Sequence, residues 1–245
     1  MQYILLAAGR GHRLGLNLTN KCFAKIYDKT LLDYNLELSA SGLFDEIIVI
    51  VGYNAKFIKE YIGNKYNGIK ITYVNQESLL GIAHAVKQAA PYIHTDFMMA
   101  LSDEIHINPQ VRKMANYFSA TGADCVCGTV TDTPQNIKKA YTMNLNKDGN
   151  IIELVEKPDH CFNLYKGTGL CMMKPTMLRL LENLKPNAVR KEYEMGNWIQ
   201  SGIEQGYICK TFQVSDANFN INEQIDMVEA TTYFEHLKKE MRTTT

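Results

Sequence analysis

Ile4-Leu5-Leu6-Ala7-Ala8-Gly9-Arg10-Gly11-His12-Arg13-Leu14, with Lys21 seven residues on, decides how this chain is read. An apolar run of strand length ends in two glycines one residue apart, and cations follow. Glycine lacks the Cβ that would keep backbone N–H groups away from a bound anion. Arg13 and Lys21 then stand where they can neutralise a polyphosphate. The spacing excludes two familiar phosphate loops. The third glycine of G-x-G-x-x-G would fall on Leu14, and the Gly-Lys-Ser/Thr of a P-loop occurs nowhere in the sequence. The plain alternative is a strand followed by a flexible turn.

Working outward, the first half alternates strand and helix patterns. Tyr3–Ala8 reads as a strand, and Thr30–Ser41 has helical spacing through Leu31, Tyr34 and Leu38. Glu46–Gly52 is a continuous β-branched run, the mark of a strand buried on both faces. Asn54 caps a helix reaching Tyr61, Ile69–Val74 is a strand, and Gly81–Ala90 a helix. Phe97–Leu101 is a further apolar strand, ended by Ser102-Asp103-Glu104. This order predicts an α/β fold with a mainly parallel central sheet and helices on both faces. Ligands of such sheets sit at the carboxyl ends of the strands. The glycine loop and Asp103 both follow strand ends, so they are expected in one crevice.

The second half has shorter strands: Cys125–Val130, Tyr141–Leu145, Ile151–Val155 and Gly169–Met173. Asp148-Gly149 within Asn146–Asn150 is a hairpin signal. Pro175 starts a helix, and Glu192–Gln205 and Asn222–Lys239 are helices. With no linker or repeat, residues 1–241 read as one domain with a small β-rich insert, and 242–245 as a frayed tail.

Composition narrows the function. Of the 245 residues, 46% are hydrophobic and 21% charged, and 26 Lys plus Arg balance 26 Asp plus Glu. A net charge of zero argues against nucleic acid or an anionic membrane as a bulk partner, while a small anion held by local cations remains compatible. Met1–Ala8 lacks a basic leader region and reads as a first buried strand, not a signal peptide. Six cysteines without C-x-x-C spacing read as reduced thiols, so a cytoplasmic protein is expected. A homo-oligomer is left open.

Leu6-Ala7-Ala8-Gly9-x-Gly11-x-Arg13-Leu14, then Lys21, resembles the N-terminal signature of the nucleotidyltransferases that activate sugar 1-phosphates and related small phosphates, roughly L-A-A-G-x-G-T-R-L followed by P-K. His12 replaces the Thr and Asn20 the Pro. The resemblance implies a Rossmann-like nucleotide-diphospho-sugar transferase fold, with 1–121 mainly nucleotide-binding and 122–241 mainly acceptor-binding. It implies that Ala7, Ala8, Gly9 and Gly11 wrap a nucleoside triphosphate and that Arg13 and Lys21 hold its phosphates as catalytic cations. Asp103 matches the family's metal-binding Asp, with Ser102 in place of the common Gly. A lone Asp after a buried strand suits Mg²⁺, which neutralises phosphate oxygens during transfer. Glu104 ranks below it, because adjacent side chains on an extended segment diverge.

The family carries a second metal-side Asp or Asn near the last helix, and Asn220-Ile221-Asn222 is similar to the form in molybdenum-cofactor guanylyltransferases. Asn220 and Asn222 remain equal candidates; Asn222 also suits a helix N-cap. Glu156-Lys157-Pro158 matches the family's E-K-P, in which the Glu accepts from acceptor hydroxyls and the Lys contacts the acceptor phosphate. Gly167-Thr168-Gly169 resembles its T-G-L turn, placing Gly169 against the acceptor, and Glu194 resembles a further hydroxyl-binding carboxylate. Gln76 and Gly81 fall where the family reads the base. His84 stands where many relatives have Gln, and reads as a specificity residue.

The expected activity is Mg²⁺-dependent transfer of a nucleoside monophosphate from a triphosphate to a small phosphorylated acceptor, foremost a sugar 1-phosphate, releasing pyrophosphate. A cytidylyltransferase for phosphocholine, a phosphonate or an amino-acid phosphate is the alternative within the class. A glycosyltransferase of similar architecture would want Asp-x-Asp, which Ser102-Asp103-Glu104 matches poorly. A non-catalytic nucleotide sensor is the third reading.

Overall fold

A computed structural model of the protein describes residues 1–11, 14 and 20–243. Arg13, and Thr244 and Thr245 of the expected tail, lie outside the described residues. The chain runs β1 (Gln2–Ala7), α1 (Leu31–Glu37), β2 (Glu46–Val51), α2 (Ala55–Ile62), β3 (Ile69–Asn75), α3 (Ile82–Ala89), β4 (Phe97–Leu101) and β5 (Glu104–Ile107). It continues through α4 (Val111–Thr121), β6 (Cys125–Thr131), β7 (Tyr141–Leu145), β8 (Ile151–Glu156) and β9 (Tyr165–Met173). It closes with α5 (Met195–Glu204), β10 (Cys209–Gln213), β11 (Ala217–Asn220) and α6 (Gln224–Thr243).

Among the described residues, ten strands join one mixed sheet, in which β3, β2, β1 and β4 form a parallel core. β9 then pairs antiparallel with β4, β6 and β7, and β7 with β8, so the second half supplies the β-rich extension that the sequence predicts. Alternation along the buried strands feeds two cores. Ile4, Leu6, Ile48, Ile50 and Met99 face α3 and α5. Tyr3, Leu5, Ile47, Val49 and Met98 face α1, α2 and α4. The α/β fold with helices on both faces is therefore as read from the sequence. Among the described residues no helix is long and apolar enough to cross a membrane.

Several boundaries differ for local reasons. The helix expected over Thr30–Ser41 is capped at Thr30 by a reciprocal Thr30–Asp33 box but becomes a 3₁₀ turn at Leu38. The helix after Pro175 is likewise 3₁₀, over Pro175–Glu182. The last helix starts at Gln224, because the Asp226 carboxylate accepts from the N–H groups of Asn222 and Glu223 at 2.8 Å each. β5 and β11 are absent from the sequence reading. They pair antiparallel as a ribbon outside the main sheet, with Asn220 opposite Glu104, and β5 buries the polar Glu104 and His106, which hides its strand pattern.

Trp198 of α5 is fully buried, and its indole N–H donates to the Met177 carbonyl at 2.8 Å. Trp198→Ala removes the largest side chain between α5 and the sheet. It is expected to cost about 3–5 kcal/mol, read as a lowered urea midpoint.

Candidate active site

Asp103 lies in the tight turn between β4 and β5, at the carboxyl edge of the parallel core, where the loop after β1 also emerges. Lys21 reaches it from a short 3₁₀ turn that Asn20 fixes: the Asn20 side chain accepts from the Cys22 N–H at 3.1 Å and donates to the Tyr53 carbonyl at 2.8 Å. The Lys21 ammonium donates to Asp103 Oδ2 at 2.7 Å and to Asn222 Oδ1 at 3.0 Å. One cation thus joins an N-terminal loop, a central strand end and the approach to the last helix.

The ribbon explains how Asn222 arrives there. β11 lies along β5, and the Ile221 N–H donates to the Asp103 carbonyl at 2.8 Å. Asn222 Nδ2 donates to Asn220 Oδ1 at 2.7 Å, which turns the Asn222 oxygen toward Lys21. The two asparagines, equal in sequence, are therefore unequal in space.

Gly11 has φ +70°, and a Cβ there would run into the aliphatic stem of Lys21. Its bare backbone leaves room for that stem. A Cβ on Gly9 would meet nothing within 4 Å, and Gly9 lines a cavity of about 240 Å³ with Ala8, Lys21, Gln76, Gly81 and Asp103. Ala7 is buried in β1 and, like Gly11, stands outside that lining. Gly81 has φ +103°, and a Cβ would collide with the Tyr193 backbone. Tyr193 in turn donates to the Leu80 carbonyl at 2.7 Å and accepts from the Ala83 N–H at 2.9 Å, which holds the start of α3 against the segment before α5.

A second cavity of about 530 Å³ adjoins the first and shares Asp103 with it. Glu156, Lys157, Gly169, Glu194, Asn220 and Asn222 lie along its wall. Gly167 and Gly169 serve the protein's own packing, since a Cβ would strike the Tyr141 ring in one case and the Leu101 side chain in the other. Glu194 is buried and held by the Arg190 guanidinium and by Asn187 Nδ2 at 3.0 Å. Lys157 has φ +48°, its N–H donating to the Ala140 carbonyl at 2.6 Å. Burial, and then the neighbouring Glu194 charge, push the Glu156 carboxyl up to about 7, against the opposing pull of Lys157 and Arg190.

Glu104 is the residue that sequence reasoning undervalued. It is buried and turned away from Lys21, its Oε2 accepting from the Gly169 N–H at 2.9 Å and Asn218 Nδ2 at 3.1 Å. The residue after Asp103 therefore fixes the wall of the second cavity. No sequence signal marks that role, because its partners come from β9 and β11.

The family model described as Nucleotidyl transferase matches residues 2–219. The chain is 27% identical, over 94% of its length and 95% of the relative's, to UTP–glucose-1-phosphate uridylyltransferase AglF of Haloferax volcanii. It is 28% identical to the bifunctional protein GlmU of Methanococcus vannielii, over 96% of this chain but 55% of that longer one. The fold matches a UDP-glucose pyrophosphorylase complexed with UDP-glucose, with a TM-score of 0.84 at 17% identity, covering 96% of this chain and 98% of the other. A putative glucose-1-phosphate thymidylyltransferase from Bacillus anthracis also gives a TM-score of 0.84, at 19% identity, covering 95% and 94%.

The raised Glu156 carboxyl sets a pH dependence with a definite sign. Its native pKa lies above the ordinary carboxylate range, so its stabilising contribution is present at low pH and is lost as pH rises toward and through about 7. Glu156→Gln is expected to flatten the urea midpoint between about pH 5 and pH 8, gaining on the wild type at the alkaline end. A wild-type midpoint that rises across that interval, with the variant parallel to it, contradicts this.

Proposed function

Because the chain belongs to the nucleotidyl transferase family, we propose that it is a Mg²⁺-dependent enzyme joining the nucleoside monophosphate of UTP or TTP to a sugar 1-phosphate. The observation that carries this reading is the pair of cavities meeting at Asp103, with Lys21 at their junction. The first, floored by Ala8 and Gly9, takes the triphosphate, and the second takes the acceptor. A phosphate oxygen of the acceptor attacks the α-phosphorus in line. The new P–O bond forms as the bond to the β-phosphate oxygen breaks, and pyrophosphate carries away the electron pair. The substrate brings its own nucleophile, so rate comes from positioning and charge neutralisation.

Lys21 moves to the triphosphate, with Arg13 as a second cation, and Lys157 meets the acceptor phosphate. Asp103 and Asn222 would hold Mg²⁺, and Asn220 keeps the Asn222 amide oriented. The donor set suits that ion: a carboxylate and an amide oxygen already converge on one cation, the Lys21 ammonium. When bound, Mg²⁺ neutralises charge building on the phosphate oxygens. A wall carrying the buried Glu194 and the half-buried Glu156 suits a polyhydroxylated acceptor. Glu194 is already paired with Arg190, and Glu156 can accept from or donate to a hydroxyl near neutral pH. The names of the relatives favour UTP or TTP with glucose 1-phosphate over CTP with phosphocholine.

The test is pyrophosphate release from five nucleoside triphosphates against a panel of sugar 1-phosphates and phosphocholine. Release that requires Mg²⁺ and both substrates, fastest with UTP or TTP and a sugar 1-phosphate, is expected. No release from any pair overturns the reading, and CTP with phosphocholine as the best pair replaces it with the alternative.

Two variants bear on the metal side. Asp103→Ala is expected to lower kcat by a few hundredfold or more, roughly 3–4 kcal/mol, with the fold retained. Asn222→Ala lowers kcat and weakens Mn²⁺ binding to the nucleotide complex, and Asn222→Asp restores that binding. In the free protein Mn²⁺ binds weakly, because it competes with the Lys21 ammonium for the same oxygens. Full activity of the Asp103 or Asn222 alanine variants across Mg²⁺ concentrations removes that residue from the metal side.

A further inference from the structure

Gln76 follows β3 at the rim of the first cavity and is 6% exposed, its backbone N–H donating to the Val51 carbonyl at 2.7 Å. Its side-chain nitrogen donates to the Gly81 carbonyl at 3.2 Å and lies 3.2 Å from His84 Nδ1. An amide nitrogen has two hydrogens, and both are committed. The amide oxygen has no partner among the described residues, and it is the side-chain atom that Gln76, which lines the cavity, retains for a further hydrogen bond.

The surroundings make this orientation directional. Turning the amide over would set its oxygen against the Gly81 carbonyl, which already accepts from the Ala85 N–H at 3.1 Å. His84 must be neutral, with its proton on Nε2, for Nδ1 to accept. Burial, reinforced by the Lys87 charge, lowers its pKa and favours the neutral ring. The ring lies against Tyr193 at 6.0 Å between centroids, which holds it beside Gln76.

We propose that His84 is a positioning residue for base selection: by accepting from Gln76 it keeps the Gln76 oxygen facing the nucleotide cavity, so that the site takes a pyrimidine with a ring N–H, uracil or thymine, over cytosine. This rests on the nucleotidyl-transfer reading of the same cavity. The N3–H of uracil donates to that oxygen. The bare N3 of cytosine places two acceptors face to face, leaving both unpaired. UTP and CTP are equal in ring size and differ in hydrogen bonding at N3 and at the C4 substituent, so the change of their ratio on altering His84, and not the ratio itself, reports the Gln76 contact.

The experiment compares wild type with His84→Ala, His84→Leu and His84→Asn. It reads kcat/KM for UTP over CTP and, separately, Kd for each nucleotide without acceptor. The wild type is expected to favour UTP. The Ala and Leu variants should lower the UTP-over-CTP ratio at least tenfold, through Kd and KM more than kcat. The Asn variant, whose Oδ1 can stand in for Nδ1, should recover most of the ratio. Should the Ala variant fail to fold, the Leu and Asn pair decides. A ratio within twofold of wild type in His84→Leu, or a wild type that binds CTP as tightly as UTP, overturns the proposal. Selective UTP binding without pyrophosphate release under any condition overturns the reaction instead and leaves the His84 assignment standing.

Discussion

The Lys21 ammonium between Asp103 and Asn222 is the interaction on which the candidate site depends. Its three members are separated by 82 and 201 residues in sequence, so the bridge closes only when both halves of the fold are in register. Lys21 keeps 10% of its side-chain exposure and Asp103 30%, so each depends on the other to satisfy a partly desolvated charge. The pairing also explains Gly11, whose missing Cβ lets the lysine stem pass. In the phosphate-loop reading this glycine bares backbone for a ligand; in the folded chain it makes room for another side chain.

Around that bridge, the carboxyl edge of the parallel core is continued by elements that come late in the chain. β11 lays the asparagine pair along β5, and Glu104 reaches from β5 to the Gly169 N–H on β9. Asp103 and Glu104, neighbours with diverging side chains, thus serve opposite purposes. The first faces the shared junction of two cavities, and the second fixes the frame of one of them. Tyr193 does the same on the far side, tying the turn before α3 to the segment that carries Glu194. The two cavities therefore share a hydrogen-bonded partition, which suits a reaction whose barrier is lowered by alignment.

What was legible in the sequence follows physical lines. The buried parallel strands read clearly because residues on both faces of β1 and β2 are apolar. The hairpin between β7 and β8 was marked by Asp148-Gly149, with Gly149 at φ +73°. β5 and β11 were hidden, because they bury Glu104, His106 and Asn218 in a polar network that no hydrophobic period records. The choice between Asn220 and Asn222 was equally hidden. It turns on which amide donates to the other, a question of distance and not of residue type. His84 stands out in the sequence, but its link to Gln76 exists only where α3 packs beside the end of β3.

A crystal structure with a non-hydrolysable UTP analogue and Mn²⁺, the metal located by its anomalous scattering, tests the Lys21–Asp103–Asn222 site directly. A Mn²⁺ peak within coordination distance of Asp103 and Asn222, phosphates over Ala8 and Gly9, and the Lys21 ammonium drawn onto those phosphates are expected. A metal held without Asp103, or a nucleotide bound outside the cavity formed by Gly9, Gln76 and Gly81, would contradict that assignment.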